Sequence, residues 1–154
     1  MSEISVKFFM PMKVASTGKE GSLGEIGKAM EELSQSLKEK KVKLAGAAMR
    51  LFHGDPKAMD PRTAQYELCL PISGRLKGAS NVKDKELEKG AFACITHTGS
   101  VDNIQETYKA ILKWIEENGY RVDGAAREVY HKGLKETGID SQNIMVELQF
   151  PVRK

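Results

Sequence analysis

Glutamate stands inside two otherwise apolar segments of this sequence, and the two segments share one pattern. They read YELCLPI at 66–72 and VELQFPV at 146–152, so that Glu67 and Glu147 each precede a proline by four residues. A carboxylate that is surrounded by apolar side chains loses hydration and needs a positively charged or hydrogen-bonding partner. The same carboxylate can also act as a general base on water. Both glutamates are therefore candidate functional residues.

A third carboxylate lies in the segment AREVYH at 126–131. Side chains alternate between the two faces of a strand, so Glu128 and Tyr130 share one face of this segment. In the segment IMVELQF, the same alternation sets Glu147 opposite the apolar side chains. If the two segments pair, we expect Glu128, Tyr130 and Glu147 to face the same side of the sheet, away from the core. The same alternation is also typical of a sheet face that is exposed to solvent. An exposed face does not require the aromatic residue Tyr130, or Phe52 at the equivalent position of the first copy.

Other kinds of reactive site lack their sequence patterns. His53, His97 and His131 do not occur at the spacings typical of zinc ligands, and neither a nucleophile elbow nor a phosphate-binding loop is present. Cys69 and Cys94 lie in apolar segments without a CxxC partner, which is typical of buried structural cysteines. We therefore expect no metal site and no cofactor.

The two glutamate segments belong to two copies of one repeated unit. Residues 14–53 align without a gap with residues 92–131, at a constant offset of 78 residues. A two-residue insertion then brings the two glutamates and the two prolines into register. The copies span about 4–72 and 85–152, and a linker at 73–84 joins them. The chain is therefore a tandem repeat of one half-domain unit.

Each copy contains the same series of predicted elements. A first strand ends at a glycine, and a helix follows whose apolar residues recur at helical spacing, namely Leu23, Ile26, Met30, Leu33 and Leu37 in the first copy and Val101, Ile104, Tyr108, Ile111 and Ile115 in the second. Two further strands complete each copy, at 47–53 and 66–72, then at 125–131 and 144–152. This repeated series predicts an α+β fold, with an antiparallel sheet and both helices on one face.

The length and the charge of the chain limit its function further. A chain of 154 residues suits one domain with its own core, and 24 basic against 21 acidic residues leave a net charge of +3, too little to indicate nucleic-acid binding. The sequence has no apolar run of about 18 residues and no export signal, so we expect no membrane association and a cytoplasmic location. The sequence begins with a strand and not with a helix-turn-helix, so we expect no direct DNA binding.

Four segments in a fixed order resemble the GyrI-like small-molecule-binding domain, the effector-binding domain of several multidrug and AraC-type transcription regulators, which also occurs as a stand-alone protein. The segments are KGAFACITHTGS, TYKAILKWIEENGY, GAAREVYH and VELQFPV, and the resemblance extends over both copies. It implies that residues 1–154 form one such domain, pseudo-twofold symmetric around a cleft for bulky, flat, often cationic molecules. It also implies an acidic residue in the last strand, here Glu147, and a tyrosine in the preceding strand, here Tyr130.

Two further candidate ligand contacts lie on the second helix. Tyr108 lies on the apolar stripe of this helix, which favours packing in the core, whereas Trp114 lies one residue off the stripe and fits a core flank or a ligand wall equally well. Aromatic walls would add cation–π attraction to a cationic ligand. The predicted ligand-binding residues are therefore Phe52, Glu67, Tyr108, Trp114, Glu128, Tyr130 and Glu147. Because most of them belong to the second copy, we expect function to concentrate there.

Three functions fit these residues. The main prediction is a binding module that sequesters a small organic ligand or reports it to a partner protein. An alternative, which the family resemblance implies, is a hydrolase of strained-ring alkylating natural products, with Glu147 as the base, Tyr130 as the orienting or acid group and Glu128 as a second carboxylate. A weaker alternative is a protein-interaction role, such as protecting a topoisomerase from inhibitors. The first two functions use the same residues, so the sequence does not separate them.

Overall fold

The computed structural model describes residues 3–20, 26–52, 65–74, 82–100, 103–132, 134–135, 138–139 and 144–154. The helices in these ranges are α1 (Ile26–Glu39) and α2 (Ile104–Glu117). The strands are β1 (Ser5–Phe9), β2 (Met12–Glu20), β3 (Lys43–Leu44), β4 (Met49–Phe52), β5 (Gln65–Ser73), β6 (Lys83–Leu87), β7 (Gly90–Gly99), β8 (Arg121–Val122), β9 (Ala126–Lys132), β10 (Leu134–Lys135), β11 (Gly138–Ile139) and β12 (Ile144–Arg153). Within the described ranges, no helix has the length and apolar character needed to cross a membrane.

The two sequence repeats appear as two copies of one series of elements. The elements β1, β2, α1, β3 and β4 return 78 residues later as β6, β7, α2, β8 and β9, and β5 returns as β12. The main sheet is antiparallel and has the order β1-β7-β12-β9-β4-β5-β2-β6. Corresponding strands therefore lie at equal distances from the central pair, β9 and β4. The predicted α+β fold and its pseudo-twofold symmetry are confirmed.

The short link between β1 and β2 requires the sheet to curl. These strands are six places apart in the strand order, although Phe9 and Met12 are only three residues apart in the chain. Six strand spacings in a flat sheet span about 29 Å, whereas three residues reach at most about 11 Å. The link between Leu87 and Gly90 imposes the same condition at the other edge. The sheet is therefore a half-barrel whose two edges approach each other.

The two faces of the curled sheet have different coverings. Both helices pack on the outer face, where their buried residues join one core cluster with alternate residues of the strands, such as Leu68, Ile95 and Leu148. The opposite residues point into the curl and form a second, smaller cluster of Val14, Met49, Leu51, Cys69, Leu87 and Val129. The prediction that both helices lie on one face is confirmed, but the other face is also largely buried.

The edge strands are exchanged between the two repeats. Strand β1 belongs to the first repeat and pairs with β7 of the second, while β6 belongs to the second repeat and pairs with β2 of the first. The predicted linker at 73–84 is shorter than expected, because β6 begins within it at Lys83. Because of this exchange, the edge strand of each half of the sheet comes from the other repeat.

The prolines of the two glutamate segments pack against glycines. A Cβ atom added at Gly46 would lie 3.3 Å from Cγ of Pro71, and one added at Gly124 would lie 3.3 Å from Cγ of Pro151. The carbonyl oxygens of the same prolines accept hydrogen bonds of 2.8 Å from Ala45 and 2.7 Å from Asp123. In each repeat, the proline thus marks the place where the segment before β4 packs closely on β5, or the segment before β9 packs closely on β12.

Candidate functional site

The strand register places Glu128 and Tyr130 on the helix-covered face, and Glu147 on the other. Tyr130 pairs with Val146 of the helix-side core, whereas Glu147 pairs with Val129, which points into the curl. Directly opposed residues of an antiparallel pair share a face. The prediction that Glu128, Tyr130 and Glu147 face one side is therefore wrong. Glu128 and Tyr130 lie under the helices because they find hydrogen-bonding partners there, so the alternation of polar residues did not mark the exposed face.

A buried ion pair lies at the centre of the sheet. Arg50 of β4 and Glu128 of β9 are opposed in the strand register, and both side chains are fully buried. Nε and Nη2 of Arg50 donate to Oε1 of Glu128 at 3.0 and 2.7 Å. Tyr130 donates to the same oxygen at 2.5 Å, and Tyr108 of α2 donates to the other carboxylate oxygen. Helix and sheet together therefore hold this carboxylate.

Two aromatic rings complete this arrangement. The guanidinium carbon of Arg50 lies 4.6 Å from the ring centroid of Phe52 and 5.0 Å from that of Tyr66. Both distances are within the range of cation–π attraction. We call this set the Glu128 cluster; its members are Arg50, Phe52, Tyr66, Tyr108, Glu128 and Tyr130. Each repeat supplies three of them, so the cluster itself is shared equally between the copies, and the expectation that function concentrates in the second copy stays a prediction.

The protonation states in the Glu128 cluster follow from burial and from the carboxylate. Burial alone would lower the pKa of Arg50, but the attraction and hydrogen bonding of Glu128 outweigh it, and the pKa ends above its ordinary value. Burial, reinforced by the nearby carboxylate, raises the pKa of Tyr108 and of Tyr130 well above the ordinary phenol value. The arginine is therefore charged and both phenols are protonated donors at neutral pH.

Glu147 occupies a separate place inside the curl. Nζ of Lys7 lies 2.8 Å from Oε2 of Glu147, and Nε2 of Gln149 donates to Oε1 at 2.7 Å. Nε2 of His131 lies 3.6 Å from the same Oε1 atom. Burial would raise the pKa of Glu147, but the hydrogen bonds from Lys7 and Gln149 outweigh it and lower the pKa. Glu147 is therefore an ionised, largely enclosed carboxylate.

A cavity of about 410 Å³ lies beside Glu147, between the β1–β2 link and the central strands. We call it the inner pocket. Its wall is mostly apolar, with Phe9, Met12, Met49 and Val129 among its residues, and its polar residues are Lys13, His131, Glu147 and Gln149. The volume lies within the range of small-molecule sites, which is roughly 300 to 1,000 Å³.

Glu67 repeats the environment of Glu147 in the first copy. Nζ of Lys85 lies 2.8 Å from Oε2 of Glu67, and the hydroxyl of Ser16 donates to Oε1 at 2.7 Å. Lys7 and Lys85 are themselves equivalent residues, 78 positions apart, on the exchanged edge strands. Each repeated glutamate thus binds a lysine of the other repeat, which explains a carboxylate within each apolar segment.

The structure separates the remaining predicted residues. Trp114 is partly buried and stacks on Tyr120, with ring centroids 5.9 Å apart and an interplanar angle of 13°. This contact is outside the Glu128 cluster. His97 is buried and bonds to Thr107 at 2.7 Å, which links β7 to α2. His53 lies outside the described residues. Among the residues that are described, histidines, cysteines and carboxylates form no cluster suited to a metal ion.

Sequence reasoning missed the three basic residues that pair with the glutamates, namely Arg50, Lys7 and Lys85. Arg50 lies 78 residues before Glu128, so the repeat alignment places an arginine and a glutamate at one position of the unit. The repeat alignment shows a charged residue inside a predicted strand at this position in both copies. This was the sequence signal from which the ion pair could have been predicted. Lys7 was not identifiable in this way, because its contact with Glu147 depends on the exchange of edge strands.

The fold defines a class of protein: an α+β half-barrel with a curled antiparallel sheet and both helices on one face. Residues 2–153 match the model of the GyrI-like small molecule binding domain. The chain belongs to this family. A comparison with curated proteins finds no match.

Solved structures with the same fold include a protein in complex with DNA and proteins described as hydrolases. The chain superposes on the C-terminal domain of EcmrR with a TM-score of 0.86 and 22% identity, covering 99% of this chain and 98% of that one. In the EcmrR–DNA complex, with the same TM-score and identity, it spans only 57% of the EcmrR chain. A hydrolase encoded by lin2189 from Listeria innocua has a TM-score of 0.72 and 16% identity, with coverage of 98% and 92%. SAV2435 bound to tetraphenylphosphonium has a TM-score of 0.60 and 13% identity, with coverage of 99% and 94%.

Proposed function

We propose that this chain is a binding module for bulky aromatic small molecules, and that a cationic group of the ligand pairs with Glu128. The observation that carries the proposal is the setting of Arg50. Its guanidinium is a flat, delocalised cation, and the cluster holds it with a carboxylate and two aromatic rings. An aromatic organic cation needs the same interactions, namely a desolvated negative charge and ring faces.

The comparisons support this chemistry in general terms. The family is one of small-molecule binding domains, and one protein of the same fold, SAV2435, has been solved with the aromatic cation tetraphenylphosphonium. In this chain, three of the six members of the Glu128 cluster are tyrosines, which combine ring surface with a hydrogen-bonding hydroxyl. Contacts of this kind tolerate ligands of different shape, which suits a binder of broad specificity.

The geometry favours binding over the hydrolase alternative. A general base must accept a proton from water through a carboxylate oxygen. One oxygen of Glu128 accepts from Arg50 and Tyr130, and the other accepts from Tyr108. While these contacts persist, Glu128 is a poor candidate for activating water. Glu147, the base in the hydrolase prediction, lies on the other face of the sheet from Tyr130, so the two cannot share one substrate.

The contact of Glu147 with a ligand stays a proposal, and the inner pocket is its place. The pocket combines apolar walls, a volume of about 410 Å³ and an ionised carboxylate. A ligand seated there would not touch the Glu128 cluster, which is under the helices on the other face. Glu147→Gln therefore tests the inner pocket alone.

Calorimetric titration with tetraphenylphosphonium tests the proposed function. Two variants should be compared: Arg50→Gln, which retains the carboxylate, and Arg50→Gln with Glu128→Gln, which removes it without leaving a buried charge unpaired. We expect the second variant to bind tetraphenylphosphonium about 10- to 100-fold more weakly than the first, the range for a hydrogen-bonded charge partner. Equal affinities of the two variants would contradict a role of Glu128. A loss confined to Glu147→Gln would move the ligand to the inner pocket.

A further inference from the structure

We propose that Arg50 is the specificity-determining residue of the Glu128 cluster, because it acts as a tethered cation that competes with cationic ligands. This inference rests on the proposed function of the cluster. Arg50 belongs to the first repeat and faces the carboxylate of Glu128 from the neighbouring strand.

The position of the guanidinium supports the inference. Arg50 places two nitrogen atoms within 3.0 Å of the carboxylate oxygen that a ligand cation would approach. It also lies within 5.0 Å of the two ring centroids that would contact an aromatic ligand. The side chain is fully buried, so it does not share this place with bulk water. A ligand cation and the guanidinium therefore cannot occupy the cluster together in this arrangement.

The charge of the cluster supports the same conclusion. The carboxylate of Glu128 and the guanidinium of Arg50 cancel, since both phenols are protonated. A cation that enters must break the ion pair and leave Arg50 in a poorly solvated place, which opposes binding. A neutral molecule does not compete with Arg50 for the carboxylate, so it does not have to break the ion pair. The arginine therefore lowers the preference of the site for cations over neutral molecules.

Fold stability alone does not require this ion pair. Well-packed apolar residues often replace a buried ion pair without loss of stability, because both ions must give up their hydration. In the repeat alignment, Met30 is equivalent to Tyr108, and Phe52 is equivalent to Tyr130. The positions around the ion pair are therefore also occupied by apolar or aromatic residues. An arginine at this position therefore calls for a role besides packing, and control of ligand charge is such a role.

A comparison of two probes tests the inference: the cation tetraphenylphosphonium and the neutral triphenylphosphine oxide. In Arg50→Gln, we expect the affinity for tetraphenylphosphonium to rise at least about tenfold, since Glu128 is then free to pair with it. The affinity for triphenylphosphine oxide should change less than about threefold, since this probe carries no charge to pair. Arg50→Lys keeps the charge but loses the forked, planar contact, and should give a smaller rise than Arg50→Gln.

The possible outcomes separate the inference from the proposed function. An unchanged or weaker affinity of folded Arg50→Gln for tetraphenylphosphonium overturns the inference, even if the protein still binds the probe. An equal rise for both probes also overturns it, because the cause would then be space and not charge. If Arg50→Gln does not fold, the ratio of the two affinities in Arg50→Lys decides by the same criteria. Absence of binding by the wild type and by every folded variant overturns the proposed function, and the inference with it.

Discussion

Arg50 and Glu128 occupy the same position of the two repeats, 78 residues apart, and form a buried ion pair with each other. Their strands, β4 and β9, are the central pair of the sheet, so the pair lies at the pseudo-twofold axis. Each charge has given up its hydration and depends on the other for compensation. The pair therefore joins the two repeats at the centre of the sheet and sets the charge of the candidate site.

Removing one partner of this ion pair should cost more stability than removing both. Glu128→Gln leaves Arg50 buried without its counter-charge, and we expect the free energy of unfolding to fall by about 3 to 5 kcal/mol. Adding Arg50→Met should recover part of this loss, because the unpaired charge is then gone. Urea denaturation of the two single variants and the double variant measures the coupling. The exposed pair of Lys113 and Glu117 is the control, where Glu117→Gln should change stability by at most about 0.5 kcal/mol.

Glu147 should stabilise the protein at neutral pH and lose this effect in acid. Because folding lowers its pKa below the ordinary value of 4.5, the contribution is present above that pH and disappears as the pH falls through the lowered pKa. Lys7 is half exposed, so the difference between the wild type and Glu147→Gln at pH 7 should be only about 1 kcal/mol. Unfolding free energies at several pH values measure it. In a Lys7→Met background the pH dependence should be weaker, and a difference that is the same at all pH values would contradict the prediction.

The two cysteines should react slowly with thiol reagents in the folded protein. Burial is the main cause that raises the pKa of Cys69 to about 11 and that of Cys94 to about 12, so few thiolates exist at pH 8. A disulfide reagent such as Ellman's reagent should label both at least about 100-fold more slowly than it labels the urea-unfolded chain. Rapid labelling of either thiol without unfolding would contradict the burial seen in the structure.

The two repeated glycines that contact prolines should differ in their tolerance of alanine. Gly46 and Gly124 would both bring a Cβ atom to 3.3 Å from a proline Cγ, but only Gly124 has a positive φ, of 137°. Gly124→Ala should therefore lower the free energy of unfolding by about 1 to 3 kcal/mol more than Gly46→Ala, because it adds backbone strain to the same contact. Thermal or urea unfolding of the two variants measures this difference. Equal losses of unfolding free energy would mean that the contact with the proline, and not backbone strain, causes the whole effect.

The sequence was sufficient for the fold and insufficient for the arrangement of the site. The repeat offset and the helical stripes predicted the element order, because periodicity follows from which faces are buried. The wrong step was to assume that Glu128 and Tyr130 face away from the core as Glu147 does. Alternation shows which residues share a face, but not which face is covered, and a buried partner such as Arg50 allows a polar face to lie inside. Strand β6 was missed because its charged sequence, KDKEL, is typical of an edge strand and equally of a linker.

The pseudo-twofold axis between β4 and β9 has a further consequence for the residues that meet there. Two identical half-length chains, assembled with the same symmetry, would have to place the same side chain on both sides of the axis. Arginine would then meet arginine, or glutamate would meet glutamate, and no opposite charge would be available to compensate either one. A single covalent chain is free of this restriction, so the equivalent position can be an arginine in one repeat and a glutamate in the other. Joining the halves is thus what gives a nearly symmetric fold an oriented electric field at its centre.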